Sequence, residues 1–465
     1  MNDNNKQVAI VGGGFCGMMT AVQLVKAAAG APCEILLFTD GELGKGPAYS
    51  GSSDLHVLNV EARNMSAFPE APEHFADWLV ARLEKAGMST ENADRMFAPR
   101  KWYGEYLSEI AKTLRQEHGS TKVKIIHRRV LSVKPLKNGF GLTTIDSNHA
   151  VDCVVLATGN MLPSKPKGIP ASFQKSTHYV SDPWSFDSAV VPADQKTVLI
   201  VGTGLTMVDV MITLREGGFN GRIVAVSPKG FEILPHRKYQ SISAIKDELH
   251  PPYRLDDLFA LFRKHIRIVR EKGITGEAVV DAVRPLTRSI WTSLTESDKR
   301  RFLTHLRHLW GLARHRLPPE QHEQLREQIT QGSFTILAGR ILDVHEEKDG
   351  CLVTIKERKT GLVSELSAAL VINCTGPSTD IAACKDPLYE SLLKEHIIRP
   401  DPLGMGIQAN HLGHPMGKDQ EPVAGIYALG SLLKGTFWES TAIPELRVQC
   451  KETAESVYAY LKSMH

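Results

Sequence analysis

The sequence predicts an α/β fold with two Rossmann-like dinucleotide-binding domains and a helical insertion. Three observations support this prediction. A buried strand, a glycine turn and the start of a helix occur in that order twice, at residues 7–19 and 197–210. A short meander followed by an apolar strand that ends in Thr-Gly also occurs twice, and a basic stretch with helical periodicity follows the second glycine motif.

The first glycine motif, QVAIVGGGFCGMM at residues 7–19, has the spacing of a dinucleotide-binding turn. Gly12 would permit the tight turn, Gly14 would let the backbone approach a pyrophosphate, and Gly17 would let the helix pack closely on the strand. The helix N-terminus would then point at the phosphates. The residues that begin this helix are Phe15 and Cys16.

A second predicted strand, CEILLFTDG at residues 33–41, should end in an acid that contacts the ribose diol of the dinucleotide. The residue directly after the apolar run is Thr39, and the carboxylate follows at Asp40. We therefore expect either Thr39 or Asp40 to contact the ribose.

The second glycine motif, TVLIVGTGLTMVDV at residues 197–210, keeps Gly202 and Gly204 but has Met207 where a third small residue is usual. The residues that begin its helix are Leu205 and Thr206. After the next strand, the turn has Ser227 and Lys229, which would bind the 2′-phosphate of NADPH without the two-pronged contact of an arginine. NADPH is favoured over NADH at this turn, and NADH stays an alternative.

Two apolar strands end in a Thr-Gly pair, and glycine lets the backbone lie against a bound dinucleotide there. The pairs are Thr158 with Gly159, and Thr375 with Gly376. Two units, each with a glycine turn, a meander and a Thr-Gly strand, are the layout of a two-dinucleotide flavoprotein. The first unit would hold FAD, and the second would bind the nicotinamide dinucleotide that reduces it.

These patterns also suggest domain boundaries. We place the first part of the FAD-binding domain at residues 1–165 and the NAD(P)-binding domain at residues 166–235. The helical, basic insertion would occupy residues 236–333, and the chain would return to the FAD-binding domain at residues 334–465 through the second meander.

The predicted insertion is rich in arginine, lysine and histidine. Its simplest interpretation is a solvated helical segment. The alternative is that Arg314 and Arg316 turn inward and bind an anionic substrate or the phosphates of the nicotinamide dinucleotide. Binding of nucleic acid is poorly supported, because no recognised motif accompanies the charge.

Composition limits the class of protein. With 465 residues, 42% apolar and 23% charged, and a net charge of +3, the chain is typical of a globular enzyme of two or three domains. Its apolar runs are too short to span a membrane, and we expect no membrane association and a cytoplasmic location. Seven cysteines without a CxxC spacing argue against a disulfide scaffold and a dithiol reductase. No metal-ligand motif or hydrolase motif is present, so we expect no metal.

Several segments resemble one group of proteins, among them GKGPAYS at 44–50, LHVLNVEARNMSAFP at 55–69 and GTFWESTAIPELRVQ at 435–449. With these segments, the chain resembles FAD/NAD(P)-binding oxidoreductases related to flavin-dependent lysine and ornithine N-hydroxylases. It looks closest to a branch that also includes FAD-dependent urate hydroxylases. The resemblance covers nearly the whole chain and does not identify a substrate.

The resemblance implies roles for residues near a flavin. His56 and Asn59 would contact the isoalloxazine edge, with Met65 as an apolar neighbour. The alternative for His56 and Asn59 is that they only cap a loop. The backbone after Gly430 would approach the flavin pyrimidine. Many related enzymes have Gly-Asp at this place, whereas this chain has Ser431 after the glycine, which puts a carboxylate contact to FAD in doubt.

The leading hypothesis is an NAD(P)H-dependent flavin monooxygenase that uses O2 to hydroxylate a small polar or anionic, nitrogen-containing molecule. Trp438 and Glu439 would join His56 and Asn59 in the flavin and substrate pocket. Glu439 would act as a general acid or base, or else lie as a helix N-terminal carboxylate facing the dipole. Two alternatives stay open: a flavin-dependent reductase that passes electrons to a partner or quinone, and a dinucleotide-binding regulatory protein without turnover. The sequence does not predict an oligomeric state.

Overall fold

The computed structural model describes residues 6–51, 53–186, 192, 196–239 and 242–464. The strands are β1 (Lys6–Val11), β2 (Cys33–Phe38), β3 (Thr121–Ile126), β4 (Ser132–Pro135), β5 (Phe140–Thr143), β6 (Asn148–Val151), β7 (Cys153–Leu156), β8 (Tyr179–Val180), β9 (Thr197–Val201), β10 (Arg222–Ser227), β11 (Phe334–Glu347), β12 (Gly350–Glu357), β13 (Val363–Ala368), β14 (Leu370–Asn373) and β15 (Ile426–Ala428). The helices are α1 (Phe15–Ala28), α2 (Gly46–Tyr49), α3 (His74–Lys85), α4 (Arg100–Thr113), α5 (Leu205–Glu216), α6 (Ala244–Asp247), α7 (Leu255–Glu271), α8 (Glu277–Val283), α9 (Thr287–Ser293), α10 (Glu296–His305), α11 (Arg307–Arg314), α12 (Pro319–Thr330), α13 (Pro387–Lys394), α14 (Lys434–Phe437) and α15 (Ile443–Ser463).

The first sheet has five parallel strands in the order β15-β7-β1-β2-β3. Strands β2 and β7 are buried along their whole length, as expected for strands covered on both faces. Helices α1 and α15 pack together on one face. The meander β4-β5-β6 forms a separate antiparallel sheet, which packs with α13 against the other face. We call the part built on this sheet the first domain.

The second sheet has seven strands in the order β13-β12-β11-β10-β9-β14-β8. Strands β11, β10, β9, β14 and β8 are parallel neighbours, and β11, β12 and β13 form the antiparallel meander. We call the part built on this sheet the second domain. The α/β prediction with two Rossmann-like units and a helical insertion is confirmed.

The structure differs from the sequence-based boundary that returned the chain to the first domain at Phe334. The first residues of β11 pair with β10 in parallel, from Phe334 with Ile223 to Ala338 with Ser227. Only then does the same strand continue into the meander. The second meander is therefore an extension of the second sheet, and the first sheet is completed only by β15.

The second domain is inserted into the first. The two chain segments that connect them lie side by side, because Pro163 and Pro377 form an isolated β-bridge and the Ser378 amide donates to the Leu162 carbonyl at 3.1 Å. The chain thus leaves the first domain and returns to it through one narrow pair of connections.

Helices α6 to α12 form the helical insertion, residues 244–330, between β10 and β11. Its apolar core contains Trp291 and also takes in Met405 and Trp438 from the C-terminal part of the first domain. Helix α12 packs on β11 of the second sheet. The insertion therefore contacts both domains. In the residues that the structure describes, none of the helices has the length and apolar character needed to cross a membrane.

Candidate functional site

The first glycine turn is shaped by two close backbone contacts. Gly12 has a φ of 108°, and its amide donates to the Phe38 carbonyl at 3.0 Å. A Cβ on Gly12 would lie 2.3 Å from the Ala157 oxygen, and a Cβ on Gly17 would lie 1.8 Å from the Gly12 oxygen. Because real Cβ atoms do not approach so closely, both positions require glycine.

Gly14 differs from its neighbours in the turn because it faces open space. A Cβ on Gly14 would meet no atom within 4 Å. Gly14 is the N-cap of α1, and no side chain caps the helix. The first residues of α1 are Phe15, which is buried, and Cys16, which is partly exposed. An open approach to an uncapped helix N-terminus suits a pyrophosphate.

The second glycine turn repeats this geometry. Gly202 has a φ of 115°, and its amide donates to the Val226 carbonyl at 2.8 Å. A Cβ on Gly202 would lie 2.4 Å from the Cys374 oxygen, whereas a Cβ on Gly204 would meet nothing within 4 Å. The residues that begin α5 after this turn are Leu205 and Thr206. The second turn therefore offers the same open approach as the first.

Met207 occupies the position that Gly17 has in the first unit. Its side chain is fully buried in the core between α5 and the second sheet. The larger residue is accommodated by this core and leaves the side of the turn at Gly204 open.

The Thr-Gly pairs lie beside the glycine turns. Thr158 follows Ala157, whose oxygen lies against Gly12, and Thr375 follows Cys374, whose oxygen lies against Gly202. The glycines of the two pairs, Gly159 and Gly376, have φ values of 73° and 85° and face open space.

The hydroxyls of these pairs are held by different partners. The Thr158 and Tyr389 hydroxyls lie 2.6 Å apart, and the Thr375 hydroxyl donates to the Asn373 side-chain oxygen at 2.7 Å. The Ser431 hydroxyl donates to the Gly159 carbonyl at 2.5 Å. Ser431 therefore joins the ends of β7 and β15.

At the end of β2, Thr39 and Asp40 have different environments. Thr39 is buried, and its hydroxyl donates to the Gly41 carbonyl at 3.1 Å. A Cβ on Gly13 would lie 2.3 Å from the Thr39 hydroxyl oxygen, so Thr39 packs behind the glycine turn. Asp40 is exposed. Of the two candidates for the ribose contact, Asp40 has the accessible oxygens.

Gly430 lies at the end of β15, close to the start of α1. It has a φ of 68°, its amide donates to the Gln449 side-chain oxygen at 3.2 Å, and a Cβ on it would lie 3.5 Å from the Cys16 sulfur. Met65 is buried in the core of the first domain.

His56 and Asn59 lie at the contact between the two domains. The Nε2 atom of His56 lies 3.2 Å from the hydroxyl of Thr213, near the C-terminal end of α5. The Asn59 carbonyl accepts a hydrogen bond from His236 Nε2 at 2.9 Å. Among the described residues, no hydrogen bond or ring contact joins His56 or Asn59 to Trp438 or Glu439. The first two of the four predicted pocket residues thus contact residues 213 and 236, whereas Trp438 and Glu439 contact the helical insertion.

Trp438 and Glu439 follow α14 and face the helical insertion. The Trp438 ring stacks on Trp291 with 5.0 Å between ring centroids. Trp438 has a φ of 64°, which is unusual for a non-glycine residue. The Glu439 carboxylate accepts a hydrogen bond from Trp310 Nε1 of α11 at 3.0 Å. Glu445 is the acid in the first turn of α15, so Glu439 is not a carboxylate of that helix terminus.

Arg314, at the end of α11, lies beside these carboxylates but forms no hydrogen bond with them. Its side chain is 8% exposed, and its Nε atom is 3.7 Å from the Glu439 carboxylate and has no hydrogen-bond partner among the described residues. The nearest Glu445 oxygen is 4.0 Å away and is already paired with Arg284 at 2.8 Å. Burial lowers the pKa of Arg314 from its usual value, as does the charge of Arg284. Arg314 is thus a buried cation with unused donors.

The turn after β10 is tied to the second glycine turn. The Ser227 hydroxyl lies 3.0 Å from the Thr203 hydroxyl and accepts a hydrogen bond from the Gly230 amide at 3.0 Å. Lys229 lies between Ser227 and Gly230 in the sequence, and its side chain is partly exposed. No carboxylate of the described residues pairs with it.

A protein-family model matches the part of the chain that contains the first glycine turn. Residues 9–161 match a protein-family model described as FAD-NAD(P)-binding. This segment is an FAD/NAD(P)-binding domain. A sequence comparison with curated proteins finds no match.

Solved structures show the same fold along nearly the whole chain. L-lysine 6-monooxygenase from Pseudomonas syringae is 15% identical with a TM-score of 0.67, covering 98% of this chain and 100% of that chain. An ornithine N-hydroxylase from Kutzneria sp. 744, solved with reduced FAD, NADP+ and L-ornithine, is 15% identical with a TM-score of 0.65 and coverages of 98% and 99%. Thioredoxin reductase from Lactococcus lactis is 12% identical with a TM-score of 0.52 and coverages of 99% and 100%. The fold is that of two-dinucleotide flavoproteins.

Arg316 lies two residues beyond Arg314 but, unlike Arg314, is hydrogen-bonded to a carboxylate, although its Nε atom has no hydrogen-bond partner among the described residues. Its guanidinium donates to both oxygens of Asp281, at 2.7 and 2.9 Å, and to the Tyr239 hydroxyl at 3.0 Å. Because a carboxylate already neutralises this cation, an anionic ligand would gain less free energy by binding to it. The geometry therefore argues against the prediction that Arg316 binds an anionic substrate, and leaves Arg314 as the candidate.

Sequence reasoning missed Lys434 of α14 and Trp310 of α11. Lys434 lies four residues after Gly430, and burial lowers its pKa, as does the charge of Arg307. A lysine directly after the apolar run LGSLL was a signal that a polar group lies at a buried position. The bond from Trp310 to Glu439 joins segments 129 residues apart, and no local pattern announces it.

Proposed function

We propose that the chain is an FAD-dependent monooxygenase that uses NADPH and O2 to hydroxylate a small anionic, nitrogen-containing molecule. The observation that carries the proposal is the pair of glycine turns with matching geometry on two separate sheets. One enzyme with two such turns can keep one dinucleotide and exchange the other. NADH remains the alternative reductant.

The first turn suits the resident cofactor because both ends of the chain enclose it. Gly14 precedes α1, Gly159 follows β7 and Gly430 follows β15, and α15 packs against α1. Bound FAD would accept a hydride from NADPH and then supply two electrons to O2. The complete reaction consumes NADPH, one proton, O2 and substrate, and yields NADP+, water and the hydroxylated product.

Arg314 and Glu439 support the substrate class. Arg314 is a buried cation that makes no hydrogen bond to the two carboxylates near it, so an anionic group of a substrate would satisfy its Nε donor. Glu439 accepts one hydrogen bond from Trp310 and is 12% exposed, which leaves lone pairs for an amine or for a proton released by the substrate. An anion and a nitrogen on one small molecule would match this pair.

The first test is the visible absorbance of the purified protein during anaerobic addition of NADPH and then NADH. We expect flavin bands that bleach with NADPH. A colourless protein that FAD does not reconstitute would contradict the proposal. After air is admitted, oxygen uptake coupled to a hydroxylated product is expected, whereas release of all the oxygen as hydrogen peroxide with every anionic amine tested would favour the reductase.

The role of Arg314 is tested with Arg314→Met. Loss of a charged hydrogen-bond donor should raise the KM for an anionic substrate by about tenfold or more. The matched control is Arg300→Met, because Arg300 lies in the same insertion but is exposed and pairs with Glu296. Equal KM values in Arg314→Met and Arg300→Met would remove Arg314 from substrate binding.

A further inference from the structure

Positive side chains from separate parts of the chain converge on the turn after β10, residues 227–231. We call this set the cationic cluster. The cationic cluster consists of Lys229, Arg307, His308 and Arg358. Lys229 belongs to the turn, Arg307 and His308 begin α11, and Arg358 follows β12. The members come from three different elements, so their proximity is a product of the tertiary fold.

Backbone packing places Arg358 next to the turn. A Cβ on Gly230 would lie 2.7 Å from the Ala338 Cα, so the turn presses directly on β11. The amide of Arg358 donates to the carbonyl of that same Ala338 at 2.8 Å. The main chain of Arg358 is therefore separated from the turn by a single residue of β11.

A ring contact places α11 next to the same turn. The rings of Phe231 and His308 have centroids 5.9 Å apart. Burial lowers the pKa of His308 from its usual value, and so do the charges of Lys229, Arg307 and Arg358. The charges of Lys229, Arg307 and Arg358 are thus close enough to act on the His308 ring, which lies against Phe231 of the turn.

The cluster is not neutralised within the protein. In the part of the chain that the structure describes, none of its four members forms an ion pair with a carboxylate. Elsewhere in the insertion, Arg300 pairs with Glu296 and Arg301 pairs with Asp256. Like charges gathered without counter-ions repel one another, and a bound dianion would relieve that repulsion.

We infer that the cationic cluster is the binding site for the 2′-phosphate of NADPH, with Arg358 as the residue that distinguishes NADPH from NADH. This inference rests on the proposed function of the second glycine turn. The ribose of a dinucleotide bound at that turn would lie at the end of β10, where the Thr203 hydroxyl is 3.0 Å from that of Ser227. The guanidinium of Arg358 supplies the two-pronged phosphate contact that the turn itself lacks.

The test measures ligand binding by calorimetry, with adenosine 2′,5′-bisphosphate and adenosine 5′-monophosphate as probes, on the purified full-length protein. We expect wild type to bind the bisphosphate more tightly. Arg358→Ala should weaken binding of the bisphosphate by about tenfold and leave the affinity for the monophosphate unchanged. The same variant should lower kcat/KM for NADPH and not for NADH. Arg358→Lys should recover part of the loss.

The matched control is Arg267→Ala, which removes an exposed arginine that lies on α7 of the helical insertion and outside the cluster. Arg267→Ala should leave the affinity for both probes unchanged. Equal weakening of both probes in Arg358→Ala, or equal affinity of wild type for both probes, would overturn the 2′-phosphate site and leave the monooxygenase proposal intact with NADH. If wild type binds neither probe and NADPH does not bleach the flavin, the proposed function fails and the inference fails with it.

Discussion

At Gly14 and Gly204 the absence of a side chain leaves room for a ligand, whereas at Gly12, Gly17 and Gly202 it leaves room for the protein's own backbone. These two uses of glycine have different consequences for mutation. A larger residue at the backbone-packed positions should disturb the fold. A larger residue at the open positions should disturb only binding.

Gly14→Val and Gly204→Val are therefore a matched pair. We expect Gly14→Val to lose FAD, because the added methyl groups would occupy the approach to the phosphates. We expect Gly204→Val to keep its flavin and lose reduction by NADPH. Flavin absorbance after gel filtration and anaerobic bleaching measure the two effects. Full flavin content in Gly14→Val would show that the first turn does not hold FAD.

Residue-scale patterns predicted the turns well because their geometry is local. Glycine spacing determines which backbone atoms meet within a few residues, as Gly12 and Gly17 show. Arg314 and Arg316 could not be told apart in this way. They lie two residues apart in one basic run, and only the position of Asp281, 35 residues before Arg316, decides which of them is neutralised.

At the scale of elements, α5 is held against the first domain by a nearly buried ion pair. Arg100 Nη1 at the start of α4 lies 3.0 Å from Asp209 of α5, and the two side chains are 15% and 12% exposed. Arg100 also donates to the Val57 carbonyl at 3.0 Å, in the loop that carries His56 and Asn59. This ion pair connects the helix of the second glycine turn to the first domain.

Removing the carboxylate should destabilise this contact strongly. Asp209→Ala would leave the cation of Arg100 buried without its partner, at a cost of about 3–5 kcal/mol. The control is Asp54→Ala, whose partner Lys101 is 3.7 Å away in an exposed pair that should contribute less than about 1 kcal/mol. Urea unfolding of both variants measures the difference. Similar losses of unfolding free energy in the two variants would contradict the prediction that the buried ion pair contributes more than the exposed one.

Element-scale prediction failed at β11 for a physical reason. The strand pairs with β10 over its first residues and with β12 over the rest, so one unbroken strand belongs to both the parallel sheet and the meander. In the first domain the equivalent stretch is divided into β3 and β4. Hydrophobic pattern alone does not reveal which neighbour a strand pairs with.

At the scale of the whole molecule, partly buried histidines should make stability depend on pH. Burial lowers the pKa of His236 and His414 from the usual 6.5. Below pH 6.5 the unfolded chain therefore binds more protons than the folded chain. The free energy of unfolding should fall as the pH falls from about 7 towards the lowered pKa values of the folded state.

Thermal unfolding between pH 7.5 and pH 5 measures this effect. We expect Tm to fall with the pH in wild type and to fall less steeply in His236→Gln, which removes a group that is neutral when folded and donates to the Asn59 carbonyl. The exposed His345 pairs with Asp343, and His345→Gln is the control for the loss of an exposed imidazole. A wild-type Tm that does not change with pH would contradict the prediction.

The insertion of one domain into the other also determines when each sheet can be completed during synthesis. The second sheet has all its strands once β14 is made, at Asn373. The first sheet starts at β1 but must wait for β15 at residues 426–428, and α1 must wait for α15. At about 5–20 residues per second, the ribosome needs about 3–10 s to make the chain between the end of β14 and β15. The domain that begins first therefore finishes last, with its nascent core partly uncovered until the C-terminus emerges.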